Sequence, residues 1–262
     1  MYTKVDLKKC LKEMELSGTE AIMVHSSMKA IGEVEGGADT VVDVLMEYFA
    51  DGLLMTPTHT WAQMSKEYAV FHPDTEPSCV GIISNLFRQR EGVVRSLHPT
   101  HSIAAYGKTA AEYVKGEENA ATPCHPGGCW DRLRMVDAKI LLLGVTHARN
   151  TFIHSVDEVL GIPDRFTDEP TLMYVVMPDG SQKEVPMYRH FNRILNTGSF
   201  SDRFDKMMEI FFELGAAKKG KFGDADCILC DAKQLFVICK KIFETEPQCL
   251  MERDEIPKEW WK

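Results

Sequence analysis

The chain is predicted to be an α/β protein, a three-layer α/β/α sandwich around a mixed, largely parallel central sheet. Three observations carry that reading. Apolar runs of strand length alternate with segments of helical period from the N-terminus onward. One run, Lys139 to Val145, is almost continuously apolar, as expected of a central strand covered on both faces. The 262 residues are 44% hydrophobic and 26% charged, the composition of a globular protein large enough to enclose such a sheet.

The elements follow in chain order. Lys4 to Leu16 places Val5, Leu7, Leu11 and Met14 at helical spacing. Ala21 to Val24 is a short strand that runs into His25-Ser26-Ser27, and Gly36-Gly37 breaks the chain before a helix from Asp39 to Phe49. Leu53 to Met55 is the next strand, stopped by Pro57. Thr58 to Ser78 lacks periodicity, and a loop of that length inside a compact fold is usually functional. Val80 to Arg90 reads as helix, Ser102 to Tyr106 as strand, Lys108 to Lys115 as helix, and Gly116 to Gly128 as a polar loop. After the strand at Lys139, Phe152 to Leu160 is the helix that should follow it. Leu172 to Met177 and Gln182 to Val185 flank Pro178-Asp179-Gly180 as a hairpin. A helix from Asp202 to Leu214, a strand from Ala225 to Cys230 and a helix from Ala232 to Phe243 complete the fold. The charged tail, Glu244 to Lys262, is expected to be partly ordered against the body.

Charge and composition exclude several functions. With 30 Lys+Arg against 39 Asp+Glu the formal charge is −9, which argues against a nucleic-acid partner. An acidic cleft would instead attract a cation. No apolar run approaches the roughly 20 residues of a membrane span. The N-terminus lacks a signal-peptide core, and eight cysteines in so long a chain do not make a disulfide scaffold. The expected location is the cytoplasm, with the thiols reduced.

Common motifs fail. Gly107-Lys108-Thr109 resembles the end of a phosphate-binding loop, but the required earlier glycine is Ser102. No dinucleotide fingerprint follows the first strand, and no Gly-x-Ser-x-Gly elbow exists. Cys227 and Cys230 sit on a strand, where their side chains point to opposite faces. Cys124, His125 and Cys129 cluster in a loop, so zinc there is the one metal alternative; the expectation is no metal.

Two segments concentrate reactive groups. His25 to Ala38 is a strand end running through a turn into a helix start, where backbone N–H groups can receive a ligand. Asn150-Thr151-Phe152-Ile153-His154-Ser155-Val156-Asp157-Glu158 follows the central strand, and ligands of α/β folds gather at the carboxyl ends of strands. Asp157 lies one helical turn beyond His154, with Glu158 as competing partner, so either carboxylate could orient the imidazole of a general base.

Together with Met55-Thr56-Pro57-Thr58, Pro77-Ser78-x-x-Gly81, Arg95-Ser96-Leu97-His98-Pro99-Thr100-His101-Ser102, Leu143-Gly144-Val145 and Gly223-Asp224-Ala225, these segments resemble the aminoglycoside 3-N-acetyltransferase family. The resemblance runs from Leu16 to Phe243, so residues 1–262 are expected to form a single domain. It implies acetyl transfer from acetyl-CoA to the 3-amino group of an aminoglycoside, directly in a ternary complex. His154 would be the base, with Asp157 or Glu158 beside it. Backbone N–H groups near Ser26 and Ser27, or the Thr151 hydroxyl, would receive the oxyanion. Ser26, Ser27, Met28, Gly32, Val34, Gly36 and Gly37, with Ser102, Ile103 and Ala104, would line the pantetheine channel. Thr58, His59 and His98 would lie on the acceptor side.

One loop departs from the family pattern. Where an acidic residue and Ser-Pro are usual, this chain reads Thr122-Pro123-Cys124-His125-Pro126-Gly127-Gly128-Cys129-Trp130-Asp131. The polycation-binding role then passes to Asp131, Glu67 or Asp74. Three alternatives follow: an antibiotic-modifying acetyltransferase, a CoA-dependent acyltransferase for another small-molecule amine, or a non-enzymatic binding protein. A homodimer remains open.

Overall fold

The computed structural model describes residues Met1–Lys262. The strands are β1 (Ala21–Ser26), β2 (Leu53–Pro57), β3 (Val70–Phe71), β4 (Val94–Arg95), β5 (Ile103–Tyr106), β6 (Lys139–Leu143), β7 (Thr171–Val176), β8 (Gln182–Met187), β9 (Ala217–Phe222) and β10 (Ala225–Asp231). Seven of them form one sheet in the order β4-β5-β2-β1-β6-β10-β9, and β3-β7-β8 form a second. The sheet is mixed, as expected, but its parallel part is confined to the centre. β1 runs parallel to β2 and to β6, whereas β2–β5, β5–β4, β6–β10 and β10–β9 are antiparallel. The departure from a largely parallel sheet has a local cause at one edge. Ala217 to Phe222 turns directly through Gly223 into β10, so that edge closes as a hairpin, which needs no crossover helix.

Alternation along the central strands divides the core. Ile22, Val24, Leu141 and Leu143 face one layer, which contains Leu7, Leu11, Val41, Leu45 and Phe87 from the helices Lys4–Glu13, Gly37–Tyr48 and Ile82–Phe87. Met23, Ile140 and Leu142 face the other, against Trp130, Phe152, Val156, Phe211, Leu235 and Ile242 from the helices Cys129–Met135, Phe152–Val159, Met208–Glu213 and Ala232–Thr245. Both faces are covered, as the apolar run of β6 requires. The tail packs on the second layer through Cys249, Leu250, Met251, Ile256 and Trp261.

Some segments differ from expectation. Asp202 to Leu214 is a 3-10 stretch (Ser201–Met207) followed by the helix Met208–Glu213. Lys108 to Lys115 contains one helical turn, Ala110–Tyr113. The hairpin of β7 and β8 forms, and β3 joins it, covering a small core of Met64, Phe71, Met173, Val175, Val185 and Met187.

The long segment after β2 is pinned by one side chain. Arg95 Nε donates to Thr58 Oγ1 (3.2 Å) and Ser102 Oγ (3.1 Å), Nη1 to the carbonyls of Pro73 (2.9 Å) and Glu76 (2.6 Å), and Nη2 to that of Thr58 (2.7 Å). Its guanidinium also lies 4.9 Å from the Phe71 ring centroid. Burial lowers the Arg95 pKa to about 9, so the cation persists at neutral pH. Arg95→Ala is expected to cost about 3 kcal/mol, since carbonyls formed around a cation lose their donor. Urea unfolding measures that loss, and limited proteolysis should place the first new cuts between residues 58 and 78.

Candidate active site

The parallel strands determine where the site lies. β1, β2 and β6 end on the same edge of the sheet, and Pro57 pairs with Ile103, so the antiparallel β5 begins there. Residues beyond those ends, Ser26 to Lys29, His59, Thr100, His101, Val145 and Ala148 to Thr151, therefore converge on one cleft of about 920 Å³. Gly144 makes the exit of β6 possible: its φ is +69°, and a Cβ there would lie 2.4 Å from that of Ala30.

His154 occupies the first turn of the helix Phe152–Val159 and lines the cleft. Its ring stacks on His190 (centroids 4.0 Å apart, planes 19°) and meets Phe200 (5.0 Å) and Phe204 (4.7 Å) edge-on. Nδ1 is buried without a hydrogen-bond partner. Burial, reinforced by His190, Arg165 and His59, holds its pKa well below the usual histidine range. The ring is therefore neutral at physiological pH.

Neither carboxylate touches His154. Asp157 is buried and its Oδ2 takes Arg165 Nε at 3.1 Å, because it faces the interior beneath the helix. Desolvation outweighs that cation and raises the Asp157 pKa to about 6. Glu158 receives the Thr122 hydroxyl (2.6 Å), the Cys124 N–H (2.8 Å) and His190 Nε2 (3.2 Å). The expected carboxylate–His154 contact is thus replaced by a relay of packing. Glu158 anchors His190, and His190 braces the His154 ring. Thr151 lines the cleft, with its hydroxyl 3.1 Å from His59 Nε2.

Further imidazoles surround these groups. His59 and His101 stand 4.7 Å apart, His101 lies 5.2 Å from His190, and His25 and His59 rest against Trp130. Trp130 Nε1 donates to the His101 carbonyl at 2.9 Å. Burial lowers the pKa of His25 to about 3 and takes those of His59 and His101 well below normal. Sequence reasoning gave no role to His190, His101, Arg189 or Trp130. His190 lies well beyond the motif of His154, and only the fold brings the two together.

Of the expected pantetheine residues, Ser26, Ser27 and Met28 line the cleft. Gly32 instead backs onto Asp224, Val34 bridges to Tyr2, and Gly36 and Gly37 start the helix Gly37–Tyr48. Ile103 and Ala104 are buried within β5, and Ser102 Oγ donates to the Thr58 carbonyl. The Ser27 N–H is spent on the Leu143 carbonyl (2.9 Å), which removes it as an oxyanion donor. On the acceptor side only His59 reaches the cleft. Thr58 is buried against Arg95, and His98 is held by the Thr122 carbonyl (3.0 Å). Asp131 is buried against Arg134 (2.6 Å), and Glu67 and Asp74 are solvent-exposed outside the cleft.

The loop thiols do not assemble with His125, which pairs with Glu117 (3.2 Å) while Cys129 packs near Tyr113. Cys124, Glu158 and His190 do converge, with potential ligand atoms within 4.8 Å of one another. Hydrogen bonds already hold that trio. All eight cysteines are free, and no helix is long and apolar enough to cross a membrane.

Residues 23–244 match the family described as aminoglycoside 3-N-acetyltransferase. An aminoglycoside N(3)-acetyltransferase III from Salmonella sp is 25% identical over 275 residues, covering 94% of each chain. A histidine-to-alanine mutant of aminoglycoside acetyltransferase AAC(3)-IVa, in complex with a gentamicin, has the same fold (TM-score 0.81, 23% identity, 98% of this chain and 93% of that one). So does AAC-IIIb in its binary complex with CoASH (TM-score 0.80, 19% identity, 93% and 97%). The extent of the sequence match, on a fold shared throughout, makes this chain a member of the aminoglycoside 3-N-acetyltransferase family and thus an acyltransferase.

Proposed function

We propose that this single-domain protein transfers acetyl from acetyl-CoA to a primary amine, with His154 as general base and both substrates bound together. The observation that carries the reading is a neutral, unpartnered imidazole at the carboxyl edge of the sheet, in a cleft of about 920 Å³. As the neutral amine adds to the thioester carbonyl, His154 accepts the proton released from nitrogen. The tetrahedral intermediate then expels CoA thiolate, to which the imidazolium returns the proton, leaving the amide and CoASH. Candidate donors to the oxyanion are the Thr151 hydroxyl and the Met28 and Lys29 N–H groups that open the turn Met28–Ile31, which have no intrahelical acceptor. No nucleophilic cysteine is invoked: Cys79, the cysteine that lines the cleft, has its thiol pKa raised by burial. The free cysteines suit a reducing compartment such as the cytoplasm.

The 3-amino group of an aminoglycoside, the acceptor in the family's name, is the first candidate. A different amine is the second, favoured because no carboxylate lines the cleft.

Three outcomes test the assignment. His154→Gln should lower kcat about 10²–10⁴-fold in a thiol-release assay while leaving the KM for acetyl-CoA within threefold; full turnover would remove the base. Because the pKa of His154 lies well below 6.5, protonation of the base should cost no activity between pH 6 and 8. The limb of kcat/KM that rises with pH should instead move with the acceptor, which two amines of different pKa would reveal. Asp157 and Glu158 should separate. Asp157 has a folded pKa of about 6 against 3.8 unperturbed, so stability falls by about 2 kcal/mol as pH rises from 4 to 6. Asp157→Asn abolishes that dependence in thermal melts. Glu158→Gln acts on kcat, through His190.

A further inference from the structure

The cleft is cationic, although the chain is acidic. No Asp or Glu lines it, and Lys29, Arg149 and Arg189 do. None of the three forms an ion pair with a carboxylate elsewhere in the chain. The nearby carboxylates are already engaged: Glu158 with His190, Asp157 with Arg165, Glu76 with Tyr68 and Gln63, and Asp205 with the Thr146 hydroxyl and the Ala148 N–H. A polycation would meet fixed positive charge here with no counter-ion, a like-charge arrangement that disfavours binding.

The three cations divide by position. Lys29 lies beyond the end of β1 and Arg149 beyond the end of β6, and those strands are neighbours, so both cations reach the cleft from the carboxyl edge of the sheet. Acetyl-CoA carries a pyrophosphate and a 3′-phosphate, which suit that pair. Arg189 comes from outside that sheet. It follows β8 directly, adjoins His190, and donates from Nη1 to the Met64 carbonyl (2.7 Å) and from Nη2 to the Trp61 carbonyl. Two of its five N–H groups are thus used in orienting the fork, and the others remain for a planar or tetrahedral oxyanion. Trp61, 44% exposed, adds an apolar face to the cleft.

We propose that the acceptor is a primary amine bearing an oxyanion, a carboxylate or a phosphate, and that Arg189 binds this group so that the amine lies near His154. The proposal rests on acyl transfer to an amine in this cleft, and it names the class of amine.

The test compares ethanolamine, β-alanine, O-phosphoethanolamine and gentamicin as acceptors in thiol release from acetyl-CoA, and as ligands of the CoA-loaded protein by calorimetry. The expected result is a kcat/KM at least tenfold higher for β-alanine or O-phosphoethanolamine than for ethanolamine or gentamicin; which of the two leads identifies carboxylate or phosphate. Arg189→Met should raise the KM of that acceptor at least thirtyfold with kcat changed less than threefold, and Arg189→Lys should recover part of the loss. Preference for gentamicin, equal losses for every acceptor in Arg189→Met, or no binding of either anionic amine would overturn the proposal. Arg189-dependent binding of an anionic amine without thiol release would instead overturn the acyl-transfer reading and leave the binding assignment standing.

Discussion

The parallel pairing of β1 with both β2 and β6 is the constraint on which the rest of the molecule depends. Three central strands that run the same way deliver three chain ends to one edge, and the polar groups of the cleft come from those ends or from the loops and helices packed over them. The antiparallel strands outside this core adjust to it. β5 enters at the same edge because it reverses direction beside β2, which brings Thr100 and His101 to the cleft from the opposite chain direction. Ligand binding at the carboxyl edge of parallel strands is therefore a consequence of strand direction before any side chain is considered.

Burial then sets the chemistry. The imidazoles in and beside the cleft are packed against one another, against Trp130 and against Phe200 and Phe204, so removal from water holds most of them neutral. A neutral imidazole accepts a proton, whereas an imidazolium cannot. The carboxylates near the helix of His154 serve the scaffold instead. Asp157 compensates the buried Arg165, and Glu158 ties the loop at Thr122 and Cys124 to His190. Removing either would leave a buried charge or donor unpaired, the costly direction of change for such groups.

Much of this was legible in the sequence, and the remainder was not for identifiable reasons. The continuous apolar run of β6 and the helical periods on either side announced the sandwich. The hairpin of β7 and β8 followed from Pro178-Asp179-Gly180. β9 escaped notice because half of Ala217-Lys218-Lys219-Gly220-Lys221-Phe222 is lysine, as suits an edge strand exposed on one side. His154 was singled out because it lies in the first turn of the helix that comes after the central strand. Its partner His190 was not, because stacking between rings 36 residues apart in sequence leaves no periodic trace (190 − 154 = 36). Helical spacing placed Asp157 and Glu158 near His154, but could not say which competitor, Arg165 or His190, each would prefer. The net charge of −9 could not say where the acidity lies: it describes the whole surface, and no Asp or Glu lines the cleft.

A crystal structure with CoA bound tests the central claim most directly. The account predicts the thiol within about 4 Å of the His154 imidazole, or one bridging water away, with the phosphates at Lys29 and Arg149. CoA seated elsewhere, or a thiol separated from His154 by the width of the cleft, would contradict it.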